Sequence, residues 1–125
     1  MSEPSIFERI VAREIPAEIL FENERVIAIR DINPQAPVHL LVIPKVADYE
    51  NVVELAAADP TLLAEIVAVS QQLATEHGNG EFRLVFNSGA STGQTVFHVH
   101  AHVLSAGPVS SSTTEFPGLQ EGSLA

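Results

Sequence analysis

The chain has 125 residues, of which 46% are hydrophobic and 18% charged, so we expect one globular domain with a working core. It contains no cysteine, which excludes disulfides, thiol nucleophiles and thiolate zinc sites. The formal net charge of −10 would repel duplex DNA and acidic membranes, and no segment has the pattern of a transmembrane helix or signal peptide. We therefore expect a cytoplasmic protein that binds neither nucleic acid nor membrane.

The N-terminal part predicts a short helix followed by a β-hairpin. Ser5 and Glu8 have the spacing of a capping box, and the apolar residues that follow them keep to one helix face until the helix ends before Pro16. The segments 18–22 and 25–30 are rich in Ile, Leu, Val and Phe and are separated by a polar turn. This pattern is typical of two antiparallel strands.

A proline-containing loop and the longest helix come next. Two prolines in the segment 34–37 force a loop, and the apolar segment 38–43 predicts a buried strand. Asp59 before Pro60 is the pattern of a helix N-cap, and apolar residues keep helical spacing from there to Gly78. The sequence therefore predicts the main helix over this segment.

The C-terminal part predicts two strands and a tail. The strands are expected at 82–87 and 96–104, joined by a Gly- and Ser-rich loop at 88–95. The segment 105–125 is rich in Ser, Thr, Gly and Pro and is expected to be a flexible tail, which leaves one domain over 1–104. Strands linked by short turns indicate the α+β class, with an antiparallel sheet that carries its helices on one face.

Three of the five histidines are clustered within the last predicted strand. Because side chains alternate along a strand, His98, His100 and His102 would share one face. The opposite face would carry the apolar residues around them: Phe97, Val99, Ala101 and Val103. Imidazoles have unperturbed pKa values near 6.5 and suit nucleophilic attack and proton transfer. The preceding loop contains Gly89 and Gly93, so its backbone N–H groups could turn toward a phosphate beside the histidines.

Other interpretations of these residues stay open at this point. The histidine face could be exposed and without function, or two of its rings could hold zinc together with His39 or Asp31. His39 lies within a strand and is equally well a structural residue, and Asp31 is equally well a turn former before the prolines. His77, at the end of the main helix, is most simply a charge that complements the helix dipole.

The run His98-Val99-His100-Ala101-His102-Val103-Leu104 has the pattern His-φ-His-φ-His-φ-φ, where φ is apolar. In this it resembles the histidine triad (HIT) superfamily of nucleotide hydrolases and transferases, and the resemblance extends over 6–104. Its Hint branch, the purine nucleoside phosphoramidases, is matched by further segments: Ile6-Phe7, Glu14-Ile15-Pro16-Ala17, Asp31-Ile32, Pro34-Gln35-Ala36-Pro37, His39, Leu41-Val42-Ile43-Pro44-Lys45, Asn87 and Gly93-Gln94.

The resemblance implies an α+β fold with a five-stranded antiparallel sheet, a main helix and a short N-terminal helix, in a homodimer. It implies an enzyme without cofactor or metal, in which His100 attacks the α-phosphorus of a purine nucleoside 5′-phosphoramidate and releases the amine. His98 and His102 would bind and orient the phosphate and the nucleophile, whose second nitrogen would contact a backbone carbonyl. Thr95 stands where the branch commonly has a serine whose hydroxyl helps to protonate the leaving amine.

The resemblance also implies a nucleotide-binding set. Asp31 would bind the ribose, with Ile32 beside it, and His39 would be a fourth histidine near the site. The purine would lie among apolar residues: Ile6, Phe7, Ile10, Ile29 and Leu41. The phosphate side would be formed by Asn87, Gly93, Gln94 and Thr95. The run Gly93-Gln94-Thr95-Val96 is also similar to the Fhit branch, so dinucleoside polyphosphate hydrolysis is an alternative, as is nucleotide binding without significant catalysis.

Overall fold

The computed structural model describes residues 4–106, which form a five-stranded antiparallel sheet with helices packed against it. The helices are α1 (Ile6–Val11), α2 (Val52–Ala58) and α3 (Pro60–His77), and a short 3₁₀ turn covers Ala90–Thr92. The strands are β1 (Ile19–Glu22), β2 (Val26–Arg30), β3 (Val38–Pro44), β4 (Arg83–Val85) and β5 (Ala101–Ser105). Their order in the sheet is β1-β2-β3-β5-β4, and the predicted α+β class is confirmed.

The sheet separates two apolar clusters, because alternate residues of each strand point to opposite faces. One cluster packs against α3 and contains Val26, Ala28, Val38, Leu40, Val42, Leu55, Leu62, Ile66, Val69, Leu73, Val99, Ala101 and Val103. The other packs against α1 and contains Phe7, Ile10, Ile27, Ile29, Leu41 and Ile43. The prediction that all helices lie on one face is therefore wrong. The central strand β3 is buried along its whole length, so both of its faces need cover.

The predicted hairpin and first helix are confirmed. β1 pairs with β2 around the turn, where the side chain of Asn23 accepts hydrogen bonds from the N–H groups of Arg25 and Val26 at 2.9 and 2.8 Å. The α1 helix begins at a full capping box, in which Ser5 accepts from the N–H of Glu8 while the Glu8 carboxylate accepts from the N–H of Ser5. Both signals are local, which is why the sequence alone contains them.

The main helix is α3, and its predicted ends are confirmed. The Asp59 carboxylate accepts the N–H of Leu62 at 3.2 Å, and Pro60 occupies the first turn, where its missing N–H costs nothing. The helix ends at Gly78, where a Cβ atom would overlap with Oγ of Ser105 and lie 3.0 Å from the carbonyl oxygen of Ala74. A glycine is therefore required there by close packing against the end of β5.

The sequence pattern did not predict α2. This helix begins at Asn51, whose side chain accepts the N–H of Glu54 at 3.0 Å. Among its residues only Leu55 is buried, while Val53 is 66% exposed. Because the helix buries so little, it has no apolar face of helical period by which it could have been recognised.

Both C-terminal strands are shorter than predicted. β5 was expected to start at residue 96 but starts at Ala101. The pairing between β3 and β5 ends at this residue, which lies opposite Val42. Before that point the chain leaves the sheet, because the N–H of Val99 donates to the carbonyl of Tyr49 at 2.9 Å. β4 covers only Arg83–Val85 instead of 82–87 and pairs with β5 alone. The two histidines at 98 and 100 therefore lie outside regular structure.

The predicted tail lies mostly outside the described residues. Its first residue, Ser105, is the last residue of β5 and is 1% exposed, so the boundary predicted at 104 falls one residue early. Residues 107–125 are not among those described, and the tail itself stays a prediction. Within 4–106, no helix is long and apolar enough to span a bilayer.

Candidate active site

The clustered histidines lie where the chain enters β5, on the face of the sheet that α1 covers. Only His102 belongs to the strand, whereas His98 and His100 precede it. The prediction that all three alternate along one strand is therefore wrong. The apolar residues Val99, Ala101 and Val103 nevertheless point into the opposite core as expected. Phe97, predicted to share their face, is 48% exposed.

Aromatic packing holds the three imidazoles together. The ring centroids of His100 and His102 are 5.2 Å apart, and Phe7 of α1 packs edge-on against His100 at 4.9 Å and against His98 at 5.6 Å. All three histidines are buried. This burial excludes the interpretation of the histidines as an exposed face without a function.

His98 is held by the protein at both ring nitrogens. Nε2 lies 2.7 Å from the carbonyl oxygen of Pro44, which can only accept, so Nε2 carries the proton. Nδ1 then accepts from the hydroxyl of Ser5 at 2.6 Å. Burial lowers the pKa of His98, although the Pro44 carbonyl and the Glu8 charge act in the opposite direction. The side chain of His98 thus fastens α1 to the sheet and has no ring nitrogen left for a phosphate.

The backbone of His98 orients His100. Its carbonyl oxygen accepts the Nδ1–H of His100 at 2.9 Å, which is the backbone contact expected for a nucleophilic histidine. When the ring is neutral, this proton on Nδ1 places the lone pair on Nε2. Such a ring needs no further base to be nucleophilic.

His39 and His102 meet across neighbouring strands. Nε2 of His39 lies 2.9 Å from Nδ1 of His102, and Nδ1 of His39 accepts the backbone N–H of Gln35 at 3.0 Å. Burial lowers the pKa of His39 despite the nearby charge of Asp31. Burial and then the neighbouring His100 and His39 lower the pKa of His102 to about 3. Both rings are therefore neutral at physiological pH.

Asp31 lies at the edge of this pair. Its Oδ2 is 3.4 Å from Nε2 of His39, while its Oδ1 accepts the N–H of Asn33 at 2.8 Å. Asp31, His39 and His102 offer ligand atoms that lie within 4.8 Å of one another, so this group could hold a metal ion. Two nitrogens on one tetrahedral zinc ion would lie about 3.3 Å apart, whereas the two ring nitrogens are 2.9 Å apart, a hydrogen-bond distance.

The predicted purine-binding residues are largely brought together. Phe7, Ile10, Ile29 and Leu41 belong to the apolar cluster beneath α1. The fifth predicted purine-binding residue, Ile6, is not part of it and is 46% exposed, and Ile32, which was predicted beside the ribose-binding Asp31, is 95% exposed. An exposed isoleucine beside Asp31 can contact a ligand only from the solvent side.

The side chain of Gln94 holds the loop before the histidines in place by hydrogen bonds. Its amide nitrogen donates to the carbonyls of Glu50 and Val96 at 2.6 and 3.0 Å, and its amide oxygen accepts from Gly89 at 2.8 Å. Gly89 and Gly93 have φ values of 103° and 105°, which other residues rarely adopt. Gln94 was predicted to contact phosphate, but its amide group is used to shape this loop.

The remaining predicted phosphate-side residues lie around the same loop. Thr95 is exposed at its end, and Asn87 is half-buried before its start. Thr95 thus lies at the surface, three residues before the first clustered histidine, His98.

Two groups of the site were not predicted from the sequence. The hydroxyl of Ser5 and the carbonyl of Pro44 hold the two nitrogens of His98, although both residues lie far from it in the chain. Ser5 carried only the signal of a helix cap, and a backbone carbonyl carries no side-chain signal at all. Neither contact could be inferred without the tertiary structure.

Comparisons with known proteins agree on the family. The family model described as the C-terminal binding region of scavenger mRNA decapping enzyme matches residues 4–115. An uncharacterized HIT-like protein of Synechocystis sp. is 46% identical over 114 residues, which cover 88% of this chain and 96% of that protein. The purine nucleoside phosphoramidase of Escherichia coli is 37% identical over 111 residues, with coverages of 87% and 92%.

A solved structure is also similar. The HIT family hydrolase from Clostridium thermocellum has a TM-score of 0.78 and 38% sequence identity, over 92% of this chain and 97% of that chain. Identity and coverage at this level extend the similarity well beyond the histidine motif.

Proposed function

We propose, since this chain belongs to the histidine triad (HIT) family of nucleotide-binding hydrolases, that it cleaves the P–N bond of purine nucleoside 5′-phosphoramidates. The observation that carries this proposal is the hydrogen bond from Nδ1 of His100 to the carbonyl of His98 at 2.9 Å. It holds a proton on Nδ1, so that Nε2 is the nitrogen that carries the lone pair when the imidazole is neutral. The similarity to a bacterial phosphoramidase supports the substrate class.

The reaction proceeds in two displacements. Nε2 of His100 attacks the α-phosphorus, the P–N bond breaks, and the amine leaves with a proton, for which the hydroxyl of the exposed residue Thr95 is the proposed donor. The enzyme is then a nucleotidyl-histidine. Water attacks the same phosphorus and its proton returns to Thr95, the bond to His100 breaks, and the nucleoside monophosphate leaves. The balance is one water consumed for one amine and one nucleotide released, and no step needs a metal.

A phosphate beside these histidines must overcome the net charge of −10. Nε2 of His102 is buried and has no hydrogen-bond partner among the described residues, so an oxygen of the phosphate would satisfy it. Hydrogen bonds at this range in a buried site outweigh a long-range field that solvent screens. The purine would then lie on the apolar cluster beneath α1, with the ribose toward Asp31.

We also propose that the protein is a homodimer formed through α3 and the edge of the sheet. β4 is an edge strand that pairs only with β5, and Val67 on α3 is 42% exposed. If two copies joined through these surfaces, the edge of β4 and the exposed side chain of Val67 would both be buried in the interface. Light scattering after size-exclusion chromatography tests this, and a mass of 13.4 kDa, that of one chain, would refute it.

The test of function is AMP release from adenosine 5′-phosphoramidate by metal-stripped protein, compared with the His100→Ala variant. We expect the variant to lose activity by about 10³-fold or more with an unchanged circular dichroism spectrum. His77→Ala removes an imidazole outside the site and is expected to keep full activity. Near-normal turnover by His100→Ala would refute the assignment of His100 as the nucleophile. If the wild-type protein cleaved a diadenosine polyphosphate in preference to the phosphoramidate, the polyphosphate would be the substrate class instead.

A further inference from the structure

A chain of hydrogen bonds runs through two buried rings and begins at a backbone amide. The N–H of Gln35 donates to Nδ1 of His39 at 3.0 Å. A nitrogen that accepts this hydrogen bond cannot carry a proton of its own. The single proton of His39 is therefore on Nε2.

The hydrogen bond between the two rings then determines which nitrogen of His102 carries the proton. Its Nδ1 lies 2.9 Å from Nε2 of His39, and only one hydrogen fits between them. Because His39 supplies that hydrogen, Nδ1 of His102 accepts it, and the proton of His102 is on Nε2. That nitrogen is the buried one without a partner among residues 4–106. A doubly protonated His102 would place two hydrogens between the rings.

We propose that the backbone N–H of Gln35 sets the tautomers of His39 and His102, so that His102 meets the phosphate as a neutral Nε2–H donor. This inference rests on the proposed function for the identity of the acceptor, but the tautomers themselves follow from the geometry. His39 is then a positioning residue that acts through His102. His102 stabilises the phosphate oxygen by a hydrogen bond and does not deliver a proton to the leaving amine.

Two substitutions of His39 separate its contact with His102 from its contact with the backbone of Gln35. The amide nitrogen of glutamine in His39→Gln can reach the position of Nε2 and still donate to His102. The amide oxygen of asparagine in His39→Asn can reach the position of Nδ1 and keeps only the contact with Gln35. We expect kcat/KM of His39→Asn to fall about 10- to 100-fold below that of His39→Gln. Equal activities of the two variants would overturn the proposal, because a purely space-filling role predicts no such order.

The tautomers can be measured without turnover. Long-range ¹H–¹⁵N correlation spectra distinguish protonated from unprotonated ring nitrogens, and the signals missing in His102→Gln assign those of His102. In the wild-type protein at pH 7 we expect protonated Nε2 and unprotonated Nδ1, and in His39→Asn a mixture of tautomers. This result supports the proposal even if the protein hydrolyses no phosphoramidate, which would refute only the proposed function.

Two results of these measurements would overturn the proposal. One is a protonated Nδ1 of His102 in the wild-type protein. The other is stoichiometric zinc in the purified protein that is lost in both His39 variants, since an ion between the rings excludes the shared hydrogen.

Discussion

The buried neutral histidines predict that the protein loses stability in mild acid. The pKa of His102 is lowered by burial from 6.5 to about 3, so the folded state does not take up a proton at pH 5. The unfolded state does, because its exposed imidazole titrates near 6.5. Stability is therefore complete above pH 6.5 and decreases as the pH falls from there toward 3.

The magnitude follows from linkage. Between pH 7.5 and 5.0, protonation of the unfolded chain at His102 alone lowers the free energy of unfolding by about 2 kcal/mol. His39 and His98 act in the same direction, because burial lowers the pKa of each. Hydrogen bonds from Lys45 and Arg13 lower the pKa of Glu22, but its ordinary value of 4.5 places that transition below this range. We therefore expect a total loss of at least about 2 kcal/mol.

Urea unfolding followed by circular dichroism at several pH values, at one protein concentration, measures this loss. His102→Gln removes one titrating ring, so its free energy of unfolding should depend on pH less than that of the wild type, by about 2 kcal/mol over the same range. Wild-type and variant free energies that decrease in parallel from pH 7.5 to 5.0 would refute the assignment of His102 as a buried neutral ring.

Three further predictions concern residues outside the triad. Gly78→Ala places a Cβ against Ser105 and should destabilise the fold by about 1–3 kcal/mol in urea unfolding; an unchanged midpoint would contradict the packing at the end of α3. Asp59→Ala removes the cap of α3 and should cost about 1 kcal/mol by the same measurement, whereas Asp59→Asn should recover most of it. Ser5→Ala removes both a helix cap and the hydroxyl donor to His98, so it should lower stability by about 1 kcal/mol and also lower kcat/KM. Ser5→Thr keeps the hydroxyl and should restore both, and a loss of stability without any loss of activity would show that His98 does not depend on Ser5.

The sequence predicted those elements whose signals are local. The capping box at Ser5 and the N-cap at Asp59 are formed within one turn of helix, and both are present. The positions of the clustered histidines were also evident. Their arrangement was not, because the length of β5 is set by where β3 stops pairing and by the capture of the Val99 amide by Tyr49, a partner 50 residues away.

The chemistry of the site depended in the same way on distant contacts. Alternation in a strand placed the three histidines on one face, but the structure gives each of them different partners. His98 is held by Ser5 and Pro44, His100 by a backbone carbonyl, and His102 by His39. No spacing rule contains these differences, since each depends on which strand or helix lies next to the ring.

The order of the strands also has a consequence for synthesis on the ribosome. β4 is made before β5, yet it pairs with nothing else in the sheet, so this strand leaves the ribosome without a partner. β5 must then insert between β3 and β4 as the last strand within residues 4–106. Because that same segment carries the histidines, a nascent chain that stops before it can fold only a hairpin, β3 and helices, and has no active site. The three clustered histidines and the strand that joins β3 to β4 are therefore supplied by the same late part of the chain.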